Sequence, residues 1–139
     1  MKKLTLSLLF VSSLMLTGCH LFKTPNIKPI EGAYTVQGWN PGTDFKKKYA
    51  YEGSATIEKQ GDAYKFIAEL HSVGDDEIIK YYGPCIYSSS DKILSLTWKG
   101  SNKTEGCDIF YQTETGFDVD WVYLNDKEGK LGKEIWTKK

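Results

Sequence analysis

From Ala33 onward, apolar and polar residues alternate with a period of two. Tyr34 and Val36 alternate with Thr35 and Gln37. Tyr64, Phe66, Ala68 and Leu70 share one face, opposite Lys65 and Glu69. Leu94, Leu96 and Trp98 alternate with Ser95, Thr97 and Lys99, and Phe117, Val119, Trp121 and Tyr123 with Asp118, Asp120 and Val122. This is the pattern of half-buried antiparallel strands. Turn signals separate the runs: Asn40-Pro41-Gly42, Gly61-Asp62, Gly74-Asp75-Asp76, Ser88 to Asp91, Lys99 to Asn102, Asn125-Asp126 and Glu128-Gly129. The pattern predicts strands at 33–39, 49–58, 63–71, 77–87, 92–99, 107–112, 116–123 and 133–137. No helical stripe with caps occurs after the first segment. Eight short strands at hairpin spacing predict an all-β meander. A sheet this long removes its edges by closing, so the expected architecture is an eight-stranded, antiparallel, up-and-down, calycin-like barrel. A two-sheet sandwich is the alternative. Period two assigns Tyr34, Val36, Ile57, Tyr64, Phe66, Leu96, Trp98, Val119 and Trp121 to the inner face. Of these, Tyr34, Tyr64, Phe66, Trp98 and Trp121 are candidates to line a ligand site or fill a core.

The first residues break this pattern. Lys2 and Lys3 precede an apolar run from Leu4 to Leu16, and the run closes on Leu16-Thr17-Gly18-Cys19. A basic start, a short apolar helix and a small-residue cleavage site make a secretory signal, too short to span a membrane at about 20 apolar residues. Its ending resembles the bacterial lipobox, which implies cleavage between Gly18 and Cys19 and lipid attachment at Cys19. Residues 19–31 follow as a tether with Pro25 and Pro29, able to reach about 35 Å when extended. The expected organisation is therefore a signal peptide at 1–18, a lipidated cysteine and tether at 19–31, and one β-domain at 32–139. His20 stands where an aspartate would favour inner-membrane retention, so the outer membrane is the expected address in a host that has one.

The 139-residue chain is formally neutral, with Lys+Arg and Asp+Glu both 18, so nothing favours nucleic acid as a partner. All its basic residues are lysine, and the bidentate arginine fork is missing from its chemistry. With Cys19 lipidated, Cys85 and Cys107 remain. In an exported protein this pair reads as one disulfide, worth about 3 kcal/mol for a loop of this length. A free pair or a metal site is the alternative. A metal site lacks ligands, since only His20 and His71 are available, and no metal or cofactor is predicted.

Catalytic signals are weak. His71 is the only histidine in the β-domain, and no G-x-S-x-G elbow accompanies the serines. Asp75-Asp76-Glu77 lacks the interleaving of a calcium loop and reads as a hairpin tip. Asp118 and Asp120 share a strand face but read as an outward, solvated one. Lys46-Lys47-Lys48 reads as a soluble loop.

Gly32-Ala-Tyr34-Thr-Val36-Gln-Gly38-Trp-Asn40-Pro41, Tyr51-Glu-Gly53 to Ile57, Gly61-Asp-Ala-Tyr64, Gly116 to Trp121 and Leu131-Gly132-Lys-Glu134 together resemble a group of small bacterial exported β-domains and lipoproteins. Some members carry the label fibronectin-binding protein. The resemblance implies fold and export; its glycines make turns and its aromatics make core. The family has tryptophan where this chain has Phe66 and glycine near Cys85, so it does not account for the cysteine pair. The expected role is non-enzymatic: a membrane-anchored lipoprotein that binds a small ligand or envelope component, or alternatively an adhesin or inhibitor-like module that binds a protein partner.

Overall fold

A computed structural model describes residues 28–139. The predicted signal helix, the Gly18–Cys19 cleavage site and the lipid-attachment cysteine Cys19 lie outside the described residues. Eight strands follow in order: β1 Gly32–Trp39, β2 Tyr51–Gln60, β3 Ala63–Ser72, β4 Ile79–Ser88, β5 Ile93–Gly100, β6 Glu105–Gln112, β7 Gly116–Tyr123 and β8 Gly132–Lys138. Each pairs antiparallel with the next, and β8 returns to β1, with Val36 opposite Trp136 and Gly38 opposite Glu134. The sheet closes into a barrel rather than splitting into a sandwich, so every inner strand edge is paired.

Period two decides which residues enter. Tyr34, Val36, Ile57, Phe66, Leu96, Trp98, Val119 and Trp121 are all buried, and Tyr64 packs half-buried against them. The outer wall carries the opposite set and is laced by ion pairs: Lys65–Glu58 at 2.9 Å, Lys80–Glu69 at 2.7 Å, Lys99–Glu105 at 3.3 Å, and Lys133–Asp120. Asp120 is thereby an external pairing residue, and Asp118 is exposed beside it.

The two ends of the barrel differ. One end holds the short turns 61–62, 89–92 and 113–115 and receives the chain before β1. Ile30 is buried there, and the Tyr34 hydroxyl donates to its carbonyl at 2.5 Å. Gln112 Nε2 donates to the Lys28 carbonyl at 3.1 Å, Lys28 Nζ to the Glu114 carbonyl at 2.8 Å, and Lys138 Nζ to the Pro29 carbonyl at 2.5 Å. The last residues of the predicted tether are therefore a plug, and the packed domain begins before Gly32. Behind the plug, Tyr34, Phe66, Phe110, Phe117 and Trp136 interlock, with Phe110 and Trp136 edge-to-face at 4.7 Å. This half is filled. The other end carries the longer loops 40–50, 73–78, 101–104 and 124–131 and is not plugged.

The predicted disulfide does not form. Cys85 and Cys107 are both free, the first buried and the second exposed. Cys85 points inward from β4 opposite Leu96, while Cys107 points outward from β6 opposite Thr97, with β5 between them. One thiol lies inside the wall and the other outside it, and a disulfide cannot pass through an intact strand. The spacing of the pair carried no information about which face of its strand each cysteine occupies.

Candidate ligand-binding cavity

The unplugged half of the barrel encloses a cavity of about 170 Å³. Its floor is the Phe66–Trp136 layer, its walls include Tyr51, Tyr81, Trp98, Trp121 and Tyr123, and Asn40, His71, Ser72 and Asn102 stand at its rim. It exists because large aromatic rings lie against the wall instead of crossing the interior. Each covers a glycine on the neighbouring strand: Tyr51 pairs with Gly38, Tyr81 with Gly100, Trp98 with Gly106 and Trp121 with Gly132. A Cβ at Gly38 would sit 2.1 Å from Tyr51, one at Gly106 2.3 Å from Trp98 and one at Gly132 2.1 Å from Trp121. Only glycine lets the rings lie this flat. The rings then meet edge-to-face, Tyr81–Trp98 at 5.3 Å, Trp98–Trp121 at 6.2 Å and Trp121–Tyr123 at 4.9 Å.

Two carboxyl groups lie within this aromatic lining. Asp108 on β6 is 7% exposed and Glu134 on β8 is 8% exposed. Trp98 Nε1 donates to Asp108 Oδ1 at 2.6 Å. Glu134 accepts at both oxygens, from the Tyr51 hydroxyl at 2.8 Å and from Trp136 Nε1 at 2.6 Å. Burial pushes the Asp108 carboxyl well above the ordinary carboxylate range; the neighbouring Glu134 charge pushes it further, and the Trp98 donor opposes both. Burial raises Glu134 as well, against its two donors. Burial and the Glu134 charge likewise push the Tyr51 phenol far up, so it stays a donor. The Cys85 thiol is raised to about 12, by burial first and then by Asp108. A negative charge inside this barrel is held at a cost.

One donor is left over. Trp121 Nε1 is buried and has no hydrogen-bond partner. It stands beside the Tyr51 hydroxyl, which donates to Glu134 and whose oxygen the indole N–H approaches without completing a hydrogen bond. Most buried indole N–H groups find an acceptor, so this one is available to an acceptor that enters the cavity.

The predicted site residues divide between the two halves. Trp98 and Trp121 line the cavity, and Phe66 forms part of its floor. Tyr34 belongs to the plugged end, as does Tyr64, which packs edge-to-face on Tyr87 at 6.3 Å. His71 is at the rim, its Nδ1 facing the backbone carbonyls of Ser72 at 3.2 Å and Asp75 at 3.0 Å, which orients the ring without a side-chain partner. Asp75 caps its own turn by accepting from the Glu77 amide at 3.0 Å. Asp108 and Tyr81 are not among the predicted site residues, and Tyr51 and Glu134 enter the sequence reading only within the motifs of the family resemblance. The alternation contains a faint signal for both acids. Gly106, Asp108 and Phe110 share a face, and Gly132, Glu134 and Trp136 share another, so each acid is in register with an aromatic. The signal is masked because the opposite faces, Cys107-Ile109-Tyr111 and Lys133-Ile135-Thr137, are about as apolar.

Comparison with protein-family models, with curated proteins and with solved structures finds no match for this chain.

Proposed function

We propose that this protein is a non-enzymatic lipoprotein of the bacterial envelope, held by acylated Cys19, whose barrel binds a small molecule in its unplugged half. The observation that carries the reading is the division of the barrel. One half is filled with interlocked aromatics, whereas the other keeps a cavity containing two buried carboxyl groups and a spare indole donor. Small barrels either fill their interior or hold one ligand, and here each half does one of these. A cavity of about 170 Å³ suits a compound near benzene in size.

The outer wall supports the anchor. A spanning barrel presents an apolar band outward and a polar lumen, the reverse of this charged wall and aromatic interior. Membrane attachment then rests on the lipid at Cys19, with the outer membrane as the address in a host that has one. The chain enters at the plugged end, so the anchor joins the barrel on the side opposite the mouth of the cavity. The lipobox-like ending and the resemblance to exported β-domains favour the same assignment.

The alternative, an adhesin or protein-binding module, is favoured by one observation: β4 turns Tyr82, Pro84 and Ile86 outward, with Ile67 beside Tyr82, and Ile86 is 74% exposed. Native mass spectrometry of the protein extracted from the envelope separates the two. The cavity reading expects a small adduct released on activation. Bare protein that also fails to take up any small fragment overturns it and leaves the outer wall as the functional surface.

A further inference from the structure

We propose that the cavity takes a small organic cation that also carries a hydrogen-bond acceptor, an amino-alcohol-like molecule with its cationic head at Asp108 and its acceptor on Trp121 Nε1. The inference rests on the cavity reading and specifies its ligand.

The hydrogen-bond inventory fixes what is missing. Glu134 has a donor on each oxygen, from Tyr51 and Trp136. Asp108 has one, from Trp98 to Oδ1, and no second donor reaches it among the described residues. Trp121 Nε1 has no acceptor, although Trp121 is only 6% exposed. The site therefore offers one acceptor and one donor, and a ligand that completes both must bring a cationic head or a donor to Asp108 and an acceptor to Trp121.

Charge selects the sign. No lysine is among the residues lining the cavity, so nothing in the wall neutralises the two carboxyl groups. The titratable groups facing Asp108 are Glu134 from β8, Cys85 from β4 and the phenols of Tyr51, Tyr81 and Tyr123, with His71 at the rim. None of those within the barrel is a cation. Tyr51, Tyr81, Trp98, Trp121 and Tyr123 surround the same space, and aromatic rings attract ammonium groups most strongly where water is excluded. A neutral polyol does nothing to favour the ionised form of the pair, and an anion would oppose it. The cation enters as the pair gives up a proton, so uptake of one positive charge is matched by release of another.

The test uses the mature lipoprotein in detergent, titrated by tryptophan fluorescence with three probes of one shape. These are choline, its neutral carbon isostere 3,3-dimethylbutanol and the anion 3,3-dimethylbutyrate. Choline is expected to bind roughly tenfold or more tightly than the isostere, with the anion weakest. Its affinity should rise with pH while the acid pair ionises, with calorimetry in two buffers showing proton release. Asp108→Asn should remove the preference for choline over the isostere while folding at least as stably as wild type. Trp121→Phe should keep the charge preference but erase that of choline over ethyltrimethylammonium, which lacks the acceptor; this variant carries the test if Asp108→Asn fails to fold. Equal or tighter binding of the isostere or the anion overturns the cation assignment and leaves a binding cavity. No response to any of the probes, in a protein shown to be folded, overturns the cavity reading as well.

Discussion

Asp108 has a buried carboxyl group beside another buried acid, and its effect on stability has a definite sign. Both Asp108 and Glu134 hold protons more tightly in the folded chain than in the unfolded one, where ordinary values of 3.8 and 4.5 apply. The folded state therefore binds more protons, and stability falls as pH rises from those ordinary values toward the raised ones. Asp108→Asn mimics the protonated form. Its melting temperature should match wild type near pH 4 and exceed it increasingly toward neutral pH; thermal melts across that range check this, and a difference from wild type that stays flat or shrinks as pH rises would refute it. The glycines beneath the aromatic rings make a second residue-scale prediction. Gly132→Ala places a Cβ inside the Trp121 ring and should cost about 1–3 kcal/mol by overpacking, measured by chemical denaturation. The cysteines provide a third. In the native protein Cys107 should alkylate and Cys85, buried with its thiol raised to about 12, should not; equal labelling of both would contradict the placement of Cys85 inside the wall.

At the scale of elements, period two was enough to locate every strand and the inward residues of β1, β3, β5 and β7, because one face of each of these meets a dry interior and the other meets water; on β4, β6 and β8, where Cys85, Phe110 and Trp136 turn inward, it assigned none. It was not enough to find the site. Asp108 and Glu134 sit on inward faces whose outward counterparts, which carry Ile109 and Ile135, are about as apolar, so amphipathicity alone does not choose the side. The pairing of Trp121 with Gly132 or Tyr51 with Gly38 depends on cross-strand register, which no single strand reveals. Ile30 follows two prolines and reads as tether, yet closure of β8 onto β1 creates the hollow that buries it. The division into halves has an energetic consequence. Phe66→Ala and Trp136→Ala, in or bordering the filled half, should each cost about 3–5 kcal/mol. Trp121→Ala, beside existing free space and removing an unpaired donor, should cost less. Comparable losses at all three sites would mean that the unplugged half is packed as tightly as the plugged one.

The whole molecule has a direction: the chain enters at the plugged end, and the cavity opens at the other. A lipid on Cys19 would join the barrel through the plugged end, on the side opposite the mouth. Cys19→Ser should abolish fatty-acid labelling and release the domain from the membrane fraction, since a single folded barrel with a charged wall has little membrane affinity of its own. Labelling that survives the substitution would remove the anchor from the account.

The central claim, that the unplugged half is a ligand site, is tested most directly by the four tryptophan indole N–H signals in a nitrogen-15 NMR spectrum. Trp39 is tied to the Lys47 carbonyl outside the cavity, Trp98 to Asp108, Trp136 to Glu134, and Trp121 to nothing. On addition of a bound small molecule, the Trp121 signal should move farthest, as its N–H gains an acceptor, with Trp98 next and Trp39 unmoved. A spectrum in which Trp39 shifts while Trp121 stays fixed would contradict it.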